Sequence, residues 1–466
     1  MLVACATSQV SGDPDAGHDP DAHHVTPPPD ASSPSPDAGS SARRIVILMI
    51  GDGMGQGQLA AAGHYANGAA GSLFLESLPV RGHLRTASLS GITDSAASAT
   101  TMATGYRTFN SRIGQDRDGQ PRETLVEAAH RVGLSAGVVT TSSLPHATPA
   151  AFTAHHPSRH DYVAIADDQA LEIQPAVMLG GGMQFYAPAG DGSVRDDAGL
   201  IAPLETAGYR VVTTAAELAA TAPSPGARLV GLFAPEHLTY VADRAADTTE
   251  PTLAAMTLAA IAQLDTNPDG FFLLIEGARI DMASHGNDAL RAVTETVAFD
   301  DAVRAVSQWA AGRDDVTLIV TADHECGGLE VITPYGAGQV PDVAWRWGQH
   351  TNTRVAVHGA GPHTEVLDGA VRDHAWVHAV ASAVIDARPM IAPPTELVPD
   401  GELAELRFLA STQVVATGFG AGFNQLDALR LDADPHGLAL GVEGVFQWDT
   451  NAVVVLIDTD LGAGTG

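Results

Sequence analysis

Seven continuous runs of apolar residues constrain the fold of this chain more than any other feature. They lie at 45–50, 136–141, 176–179, 229–233, 271–275, 316–321 and 354–358. Continuous rather than alternating apolarity is typical of strands buried on both faces, as in parallel sheets. Helix-like segments lie between the runs, at 123–132, 252–264 and 289–309. The pattern predicts an α/β fold with a mostly parallel central sheet flanked by helices.

Two regions flank this predicted domain, which spans 43–390. Residues 1–42 are rich in Pro, Asp and Ser and repeat Pro-Asp-Ala, so we predict a disordered linker. Its start, 1–5, resembles the end of a bacterial lipoprotein signal, in which a small-residue box precedes a lipid-carrying Cys; a truncated start and a chance match both stay open. Short alternating segments at 413–418, 438–446 and 452–458 predict a small β-rich C-terminal domain over 391–466, whose completeness also stays open.

The charge of the chain excludes several classes of partner. Acidic residues number 55 and basic residues 24, which gives a formal net charge of -31. Such a surface repels nucleic acid and anionic membranes. It would also repel a phosphate substrate, so any anion site needs local positive charge, most economically from metal ions. With only two cysteines, Cys5 and Cys326, no disulfide framework is expected.

The stretch 92–105 consists mostly of small residues and contains a candidate nucleophile. Asp94 and Ser95 stand where a helix should start, because 96–103 has no Gly or Pro and Gly105 supplies a stop. The positive field of a helix N-terminus would attract an anion and ease loss of the Ser95 proton, especially beside a metal ion. An ordinary N-cap on a close-packed helix is the competing interpretation of this stretch taken alone.

Acidic and imidazole side chains follow three of the predicted strands. Asp52 follows the first run, Glu276 follows the run 271–275, and Asp323 with His324 follows 316–321. Sites in open α/β sheets form outside the carboxyl ends of strands, so these side chains are expected to converge. Charged residues directly after apolar strands are costly unless they are paired, solvated or bound to metal.

A second set of ligand-type residues lies further along the chain. Asp281 and His285 are four residues apart, so on a helix they share one face and can bind one ion, and His350 precedes the last apolar run. Mixed His and Asp ligands suit zinc. Oxygen ligands suit magnesium, and the chain offers such a set in Asp52, Thr148 and Glu276.

Six motifs, in order and with plausible separations, resemble the alkaline phosphatase family across roughly 43–388. They are Gly-Asp-Gly-Met-Gly at 51–55, Thr-Asp-Ser-Ala at 93–96, His-Ala-Thr-Pro at 146–149 with Arg159, Glu276 to His285, Thr-Ala-Asp-His at 321–324, and His-Thr at 350–351. The resemblance implies hydrolysis of phosphate monoesters through a phosphoserine at Ser95, with Arg159 holding the phosphate. It also implies three metal ions, two Zn²⁺ and one Mg²⁺. Their implied ligands are Asp281, His285 and His350 for one zinc, Asp52, Asp323 and His324 for the other, and Asp52, Thr148 and Glu276 for magnesium, with Asp94 and His146 in supporting positions.

Three positions depart from the pattern or find no role in it. His146 stands where some members of the family have Asp and others His, which leaves the third metal uncertain. Met282 follows Asp281 where several members have Lys or His near the phosphate. Cys326 matches no ligand position, so it is expected to be packed and idle.

Other functions compete with this interpretation. A diesterase or sulfatase of the same superfamily is the nearest, but sulfatases need Cys or Ser followed by x-Pro-x-Arg, and this chain has Ala97 and Ala99 at the Pro and Arg positions. An inactive metal-binding surface protein is the alternative from another class. The expected partners are small phosphate monoesters and no nucleic acid, with a homodimer left open. The expected location is periplasmic or extracellular, with Cys5 as a candidate lipid anchor.

Overall fold

The computed structural model describes residues 43–190 and 192–393, together with the backbone of three strands nearer the C-terminus. The strands within 43–393 are β1 Arg44–Gly51, β2 Val80–Arg85, β3 Ser135–Ser143, β4 Val177–Gly181, β5 Tyr209–Val212, β6 Arg228–Leu232, β7 Gly270–Gly277, β8 Val316–Thr321, β9 Glu325–Cys326, β10 Glu330–Thr333, β11 Asp342–Ala344, β12 His350–Thr351, β13 Val355–Ala360 and β14 Val371–Asp373. The α-helices are α1 Gln56–Asn67, α2 Ser95–Thr104, α3 Leu125–Arg131, α4 Ala147–Thr153, α5 Tyr162–Asp167, α6 Met183–Tyr186, α7 Ile201–Thr206, α8 Ala215–Ala219, α9 Leu253–Leu264, α10 Arg279–His285, α11 Ala289–Ala310 and α12 His374–Ile385.

Ten of the strands within 43–393 form one large sheet. Their order is β14-β2-β13-β8-β1-β7-β3-β4-β6-β5. All neighbours pair in parallel except β13, which runs antiparallel to both β2 and β8. The mostly parallel α/β sheet expected from the apolar runs is therefore confirmed.

The centre of the sheet explains why its strands read as continuous apolar runs. Residues 45–50 of β1 and 271–275 of β7 are fully buried, and β8 lies on the other side of β1. Helices α9, α11 and α12 pack against these central strands. Because both faces of the sheet are covered, every side chain of such a strand meets apolar surroundings.

Strands at or next to the edges of the sheet were not predicted from the sequence. In β2 the buried and more accessible positions alternate along 80–85, and β5 and β14 have only four and three residues. The run 354–358 does form a strand, β13, but an antiparallel one. Apolarity reports burial, not strand direction.

The C-terminal region contains a small antiparallel sheet, as predicted. Its strands are β15 Phe408–Ser411, β16 Gln425–Asp434 and β17 Gly437–Val445, in that order. The predicted segment at 438–446 corresponds to β17, whereas those at 413–418 and 452–458 lie outside the described residues, as does the predicted linker at 1–42. No helix in the described part of the chain has the length and apolarity required to cross a membrane.

Candidate active site

Ser95 is the first residue of α2, as the sequence predicts. Asp94 caps the helix: its backbone is extended, and its Oδ1 accepts a hydrogen bond from the Ala97 amide at 3.0 Å. The helix ends at Gly105, whose φ of 78° is the left-handed conformation that favours glycine. All ten residues of α2 are buried, and their small side chains allow this packing. Ser95 therefore lies at the positive end of a helix inside the protein.

Asp52, Asp323 and His324 form what we call the buried cluster, and two of them, Asp52 and His324, contact the Ser95 hydroxyl. The Ser95 Oγ lies 3.5 Å from Asp52 Oδ1 and 3.3 Å from His324 Nε2. His324 Nε2 in turn lies 3.1 Å from Asp323 Oδ2 and 3.6 Å from Asp52 Oδ1. All three members have no solvent exposure. The ends of β1 and β8, which are neighbours in the sheet, deliver them to one point.

The loop after β1 brings this cluster close to α10. Gly53 has a φ of 70°, and a Cβ at this position would lie 2.8 Å from the Asp281 Cα, so only glycine fits here. The Gly53 amide donates a hydrogen bond to Asp323 Oδ1 at 3.0 Å. The Gly-Asp-Gly motif thus serves close packing around Asp52.

The electrostatics of the buried cluster favour binding of a cation. Burial, and then the carboxylates of Asp323, Asp281 and Glu276, raise the pKa of Asp52 well above its usual range. Burial likewise raises the pKa of Asp323 and lowers that of His324. One oxygen of each carboxylate, Asp52 Oδ2 and Asp323 Oδ2, is buried without a hydrogen-bond partner. Buried carboxylate oxygens without partners fit a divalent ion, because attraction to the ion would offset the free-energy cost of removing the carboxylates from water.

A second group, the rim cluster, consists of Asp281 and His285 on α10 and His350 on β12. Asp281 Oδ2 lies 3.3 Å from His285 Nε2, and Asp281 Oδ1 lies 3.5 Å from His350 Nε2. The Nδ1 atoms of the two histidines lie 2.8 Å from backbone carbonyls, those of Gly348 and Thr93. Since a carbonyl only accepts, each Nδ1 carries the proton.

With the proton on Nδ1, the Nε2 atoms of His285 and His350 are unprotonated and face each other. The Nε2 atoms of His285 and His350 are 3.0 Å apart, so in the neutral form two lone pairs oppose each other. In the protein alone the Asp281 carboxylate raises the pKa of His285 to about 9, so a proton occupies this place. Although burial opposes its ionisation, hydrogen bonds from His285 and His350 hold the pKa of Asp281 well below its usual range. Orienting each imidazole through its other nitrogen is the usual arrangement of metal-binding histidines.

The third cluster comprises Asp52, His146 and Glu276, whose ligand atoms lie within 4.8 Å of one another. Glu276 Oε2 accepts hydrogen bonds from the Thr140 and Ser142 hydroxyls. Burial raises the pKa of Glu276 to about 7, against the effect of these hydroxyls and that of Thr148. Its Oε1 has no partner. The oxygen-rich set predicted for magnesium therefore lies together, with the His146 imidazole beside it.

Arg159 contacts both the third cluster, through His146, and Asp94, which precedes the nucleophile Ser95. Its NH1 lies 3.2 Å from Asp94 Oδ2, and its NH2 lies 3.4 Å from His146 Nε2. Asp94 Oδ2 also accepts a hydrogen bond from the Ser111 amide at 2.9 Å. The residue that caps the Ser95 helix thus also fixes the guanidinium, and each predicted site residue has a place in one contiguous region.

Sequence reasoning missed one neighbour of these residues, His237, and gave no role to another, Cys326. His237, in the loop after β6, packs edge-on against His146 at 5.6 Å between ring centroids, and its Nδ1 accepts from the Ser143 amide at 3.1 Å. Cys326 Sγ lies within 4.8 Å of the ligand atoms of the rim cluster. No spacing signal marks either residue, because both positions depend on how distant loops pack. His155, in contrast, pairs with Glu127 and lies outside the three clusters.

A mostly parallel α/β sheet that places a seryl hydroxyl among groups of candidate metal ligands is the arrangement expected of a metal-dependent hydrolase. The alkaline phosphatase family model matches residues 43–339. Alkaline phosphatase 4 of Bacillus subtilis is 38% identical over 245 residues, which cover 52% of this chain and 50% of that protein. Streptomycin-6-phosphate phosphatase of Streptomyces griseus is 33% identical over 431 residues, which cover 77% and 94%.

A solved structure agrees with these sequence relatives. The alkaline phosphatase from the Antarctic bacterium TAB5 superposes with a TM-score of 0.65 at 27% identity, over 74% of this chain and 98% of that one. The chain belongs to the alkaline phosphatase family. The resemblance seen in the sequence motifs is thereby confirmed.

Proposed function

We propose that the protein hydrolyses phosphate monoesters through a phosphoserine at Ser95 and releases inorganic phosphate. The observation that carries this proposal is the position of the Ser95 Oγ, which lies within 3.5 Å of Asp52 and His324 at the N-terminus of α2. A hydroxyl beside so many ligand atoms can act as a nucleophile once a cation lowers its pKa. Both relatives named above are phosphatases by name, and one is named for streptomycin 6-phosphate.

We assign two Zn²⁺ and one Mg²⁺ to the three clusters. The rim and buried clusters would each hold a zinc ion with mixed Asp and His ligands, and Asp52, Thr148 and Glu276 would hold magnesium. When bound, such paired ions supply the positive charge that activates the seryl and water nucleophiles and stabilises the leaving oxygen in an in-line displacement.

Residues of the chain bind the phosphoryl group, orient it and exclude water. The free amides at the start of α2 attract the transferring phosphoryl group to the Ser95 hydroxyl. Arg159 binds two phosphate oxygens with its planar guanidinium, a geometry that lysine cannot reproduce. Asp94 orients this guanidinium through the 3.2 Å ion pair. The surrounding burial excludes bulk water and strengthens each of these interactions.

Replacing Ser95 by Ala tests the proposal. We expect hydrolysis of 4-nitrophenyl phosphate to fall by at least about 10³-fold, with two zinc ions per chain still bound, because the nucleophile is lost and the ligands are kept. Ser98→Ala is the matched control, since Ser98 is buried on the same helix and bonds only the carbonyls of Asp94 and Ser95. Full activity of a folded Ser95→Ala protein, or a preference for the diester bis(4-nitrophenyl) phosphate, would refute the assignment.

We also propose that the protein acts outside the cytoplasm, in the periplasm or beyond the cell, with Cys5 as a lipid anchor. The lipobox-like start and the linker composition support this location. Comparing the membrane association of the parent and of Cys5→Ser after expression in a bacterium tests the anchor. Equal distribution of the two proteins between membrane and soluble fractions would contradict the lipid anchor.

Whether the protein forms a homodimer is a separate question, which sedimentation of the purified protein would answer.

A further inference from the structure

Cys326 is a buried free thiol that the assigned reaction does not use. It has no solvent exposure and forms no disulfide among the described residues. It lies on β9, where it is directly opposite His350 of β12 in an antiparallel pair. Side chains of directly opposed residues project from the same face of such a pair, roughly 5 Å apart at Cβ. The strand register therefore places the Cys326 thiol on the same face as the His350 imidazole.

The neighbouring pair confirms this alternation. Glu325 and Thr351 are also directly opposed, and their side chains hydrogen-bond to each other on the other face. A shift by one residue would exchange the two faces, so the position of the thiol follows from the strand pairing.

The surroundings of the sulfur are those of a ligand. Cys326 Sγ, the Asp281 carboxylate and the two rim imidazoles all lie within 4.8 Å of one another. Asp281 is buried to more than nine-tenths, and its Oδ1 makes no well-formed hydrogen bond, since its neighbour His350 Nε2 lies 3.5 Å away. Together with the two Nε2 atoms that face each other at 3.0 Å, this unpartnered oxygen points to a cation at the centre of the group.

We propose that the sulfur of Cys326 is a fourth ligand of the ion held by Asp281, His285 and His350, which makes the rim cluster a thiolate-containing site for zinc-like ions. The inference rests on the metal centre of the proposed function, although it requires no turnover. On binding, the S–H bond breaks, the sulfur electron pair forms the bond to the metal, and the proton passes to solvent. Soft sulfur favours Zn²⁺, Co²⁺ and Cd²⁺ over Mg²⁺ and Ca²⁺.

Four protein ligands have a consequence for substrate binding. Zinc sites with four protein ligands are closed, whereas catalytic sites keep one position open. A phosphate oxygen would therefore have to displace the sulfur or enter as a fifth ligand. We expect the thiolate to increase retention of the ion in the absence of substrate.

Replacing zinc by Co²⁺ in the full chain gives a direct test. Cobalt bound to a thiolate shows an intense sulfur-to-metal charge-transfer band in the near ultraviolet, and Asp and His ligands alone do not. We expect the band in the parent, its loss in Cys326→Ser, and its persistence in Cys5→Ser, which removes the other of the two cysteines in the chain. Absence of the band from the parent with Co²⁺ bound, or its survival in Cys326→Ser, overturns the proposal.

Ion retention provides a second readout. We expect a chelator to remove the first Co²⁺ from Cys326→Ser at least about tenfold faster than from the parent. Equal release rates would overturn the ligand assignment. Failure of this inference and failure of the proposed function are distinguishable: an active parent without the band retains the function, and an inactive parent with the band retains the ligand.

Discussion

The buried cluster and the rim cluster hold similar ligands in opposite surroundings. Asp52, Asp323 and His324 are sealed from solvent, whereas 36% of the His285 side chain is exposed. Without an ion, the buried carboxylates repel one another, while Asp281 of the rim cluster is balanced by two imidazoles that can take up protons. The comparison teaches that an ion in the buried cluster would be sealed inside the fold, whereas an ion in the rim cluster would be open to solvent and to exchange.

Removing one ligand from each cluster should separate these roles most strongly. We expect Asp52→Asn to reduce monoester hydrolysis by about 10³-fold, since Asp52 serves both the buried and the third cluster, and His285→Gln by about 10²-fold. Steady-state kinetics with metal analysis of both variants checks this order. Losses of equal size would show that the two clusters do not differ in this way.

Chelation should distinguish the clusters next. We expect the first zinc ion to leave about tenfold faster than the second, because solvent reaches the rim ligands and not the buried ones. Metal release followed with a coloured zinc indicator measures the two phases. If His285→Gln eliminates the slow phase instead of the fast one, the assignment of the phases is wrong.

The stability of the chelated protein should fall in two steps as the pH rises. The pKa of Glu276 is raised from 4.5 to about 7 in the folded state, so the stability from its protonated form is lost as the pH rises from about 4.5 to 7. The pKa of His285 is raised from 6.5 to about 9, so the stability from its charged form is lost as the pH rises from about 6.5 to 9. Denaturant unfolding at about pH 4.5, 6.5 and 9 should show both losses.

Single variants assign these windows. Glu276→Gln should remove the loss between about pH 4.5 and 7 and leave that between about pH 6.5 and 9, and His285→Gln should do the reverse. A chelated parent whose unfolding free energy is constant between about pH 4.5 and 9 would contradict both assignments.

The smallest expected effect concerns the C-terminal region. Both clusters lie within 43–390, so we expect deletion of residues 392–466 to leave monoester hydrolysis unchanged. Assay and thermal unfolding of the truncated protein check this. Lost turnover in a folded truncation would show that the region contributes to the site.

Much of this arrangement could be predicted from the sequence, for identifiable reasons. Strands such as β1 and β7 are buried on both faces, so their composition alone reveals them, and side chains at their carboxyl ends converge by geometry. β2 was missed because its burial alternates, and it lies next to the edge strand β14. The places of His237 and Cys326 could not be predicted, since they depend on loop packing and on the register of two-residue strands.

The hydrogen bond from the His350 imidazole to the Thr93 carbonyl spans 257 residues of chain, and the contact of Ser95 with His324 spans 229. A ribosome must therefore translate beyond position 350 before His350 can join the residues around Ser95. Chains that end before this position should consequently be catalytically silent, and turnover can begin only after it has been passed.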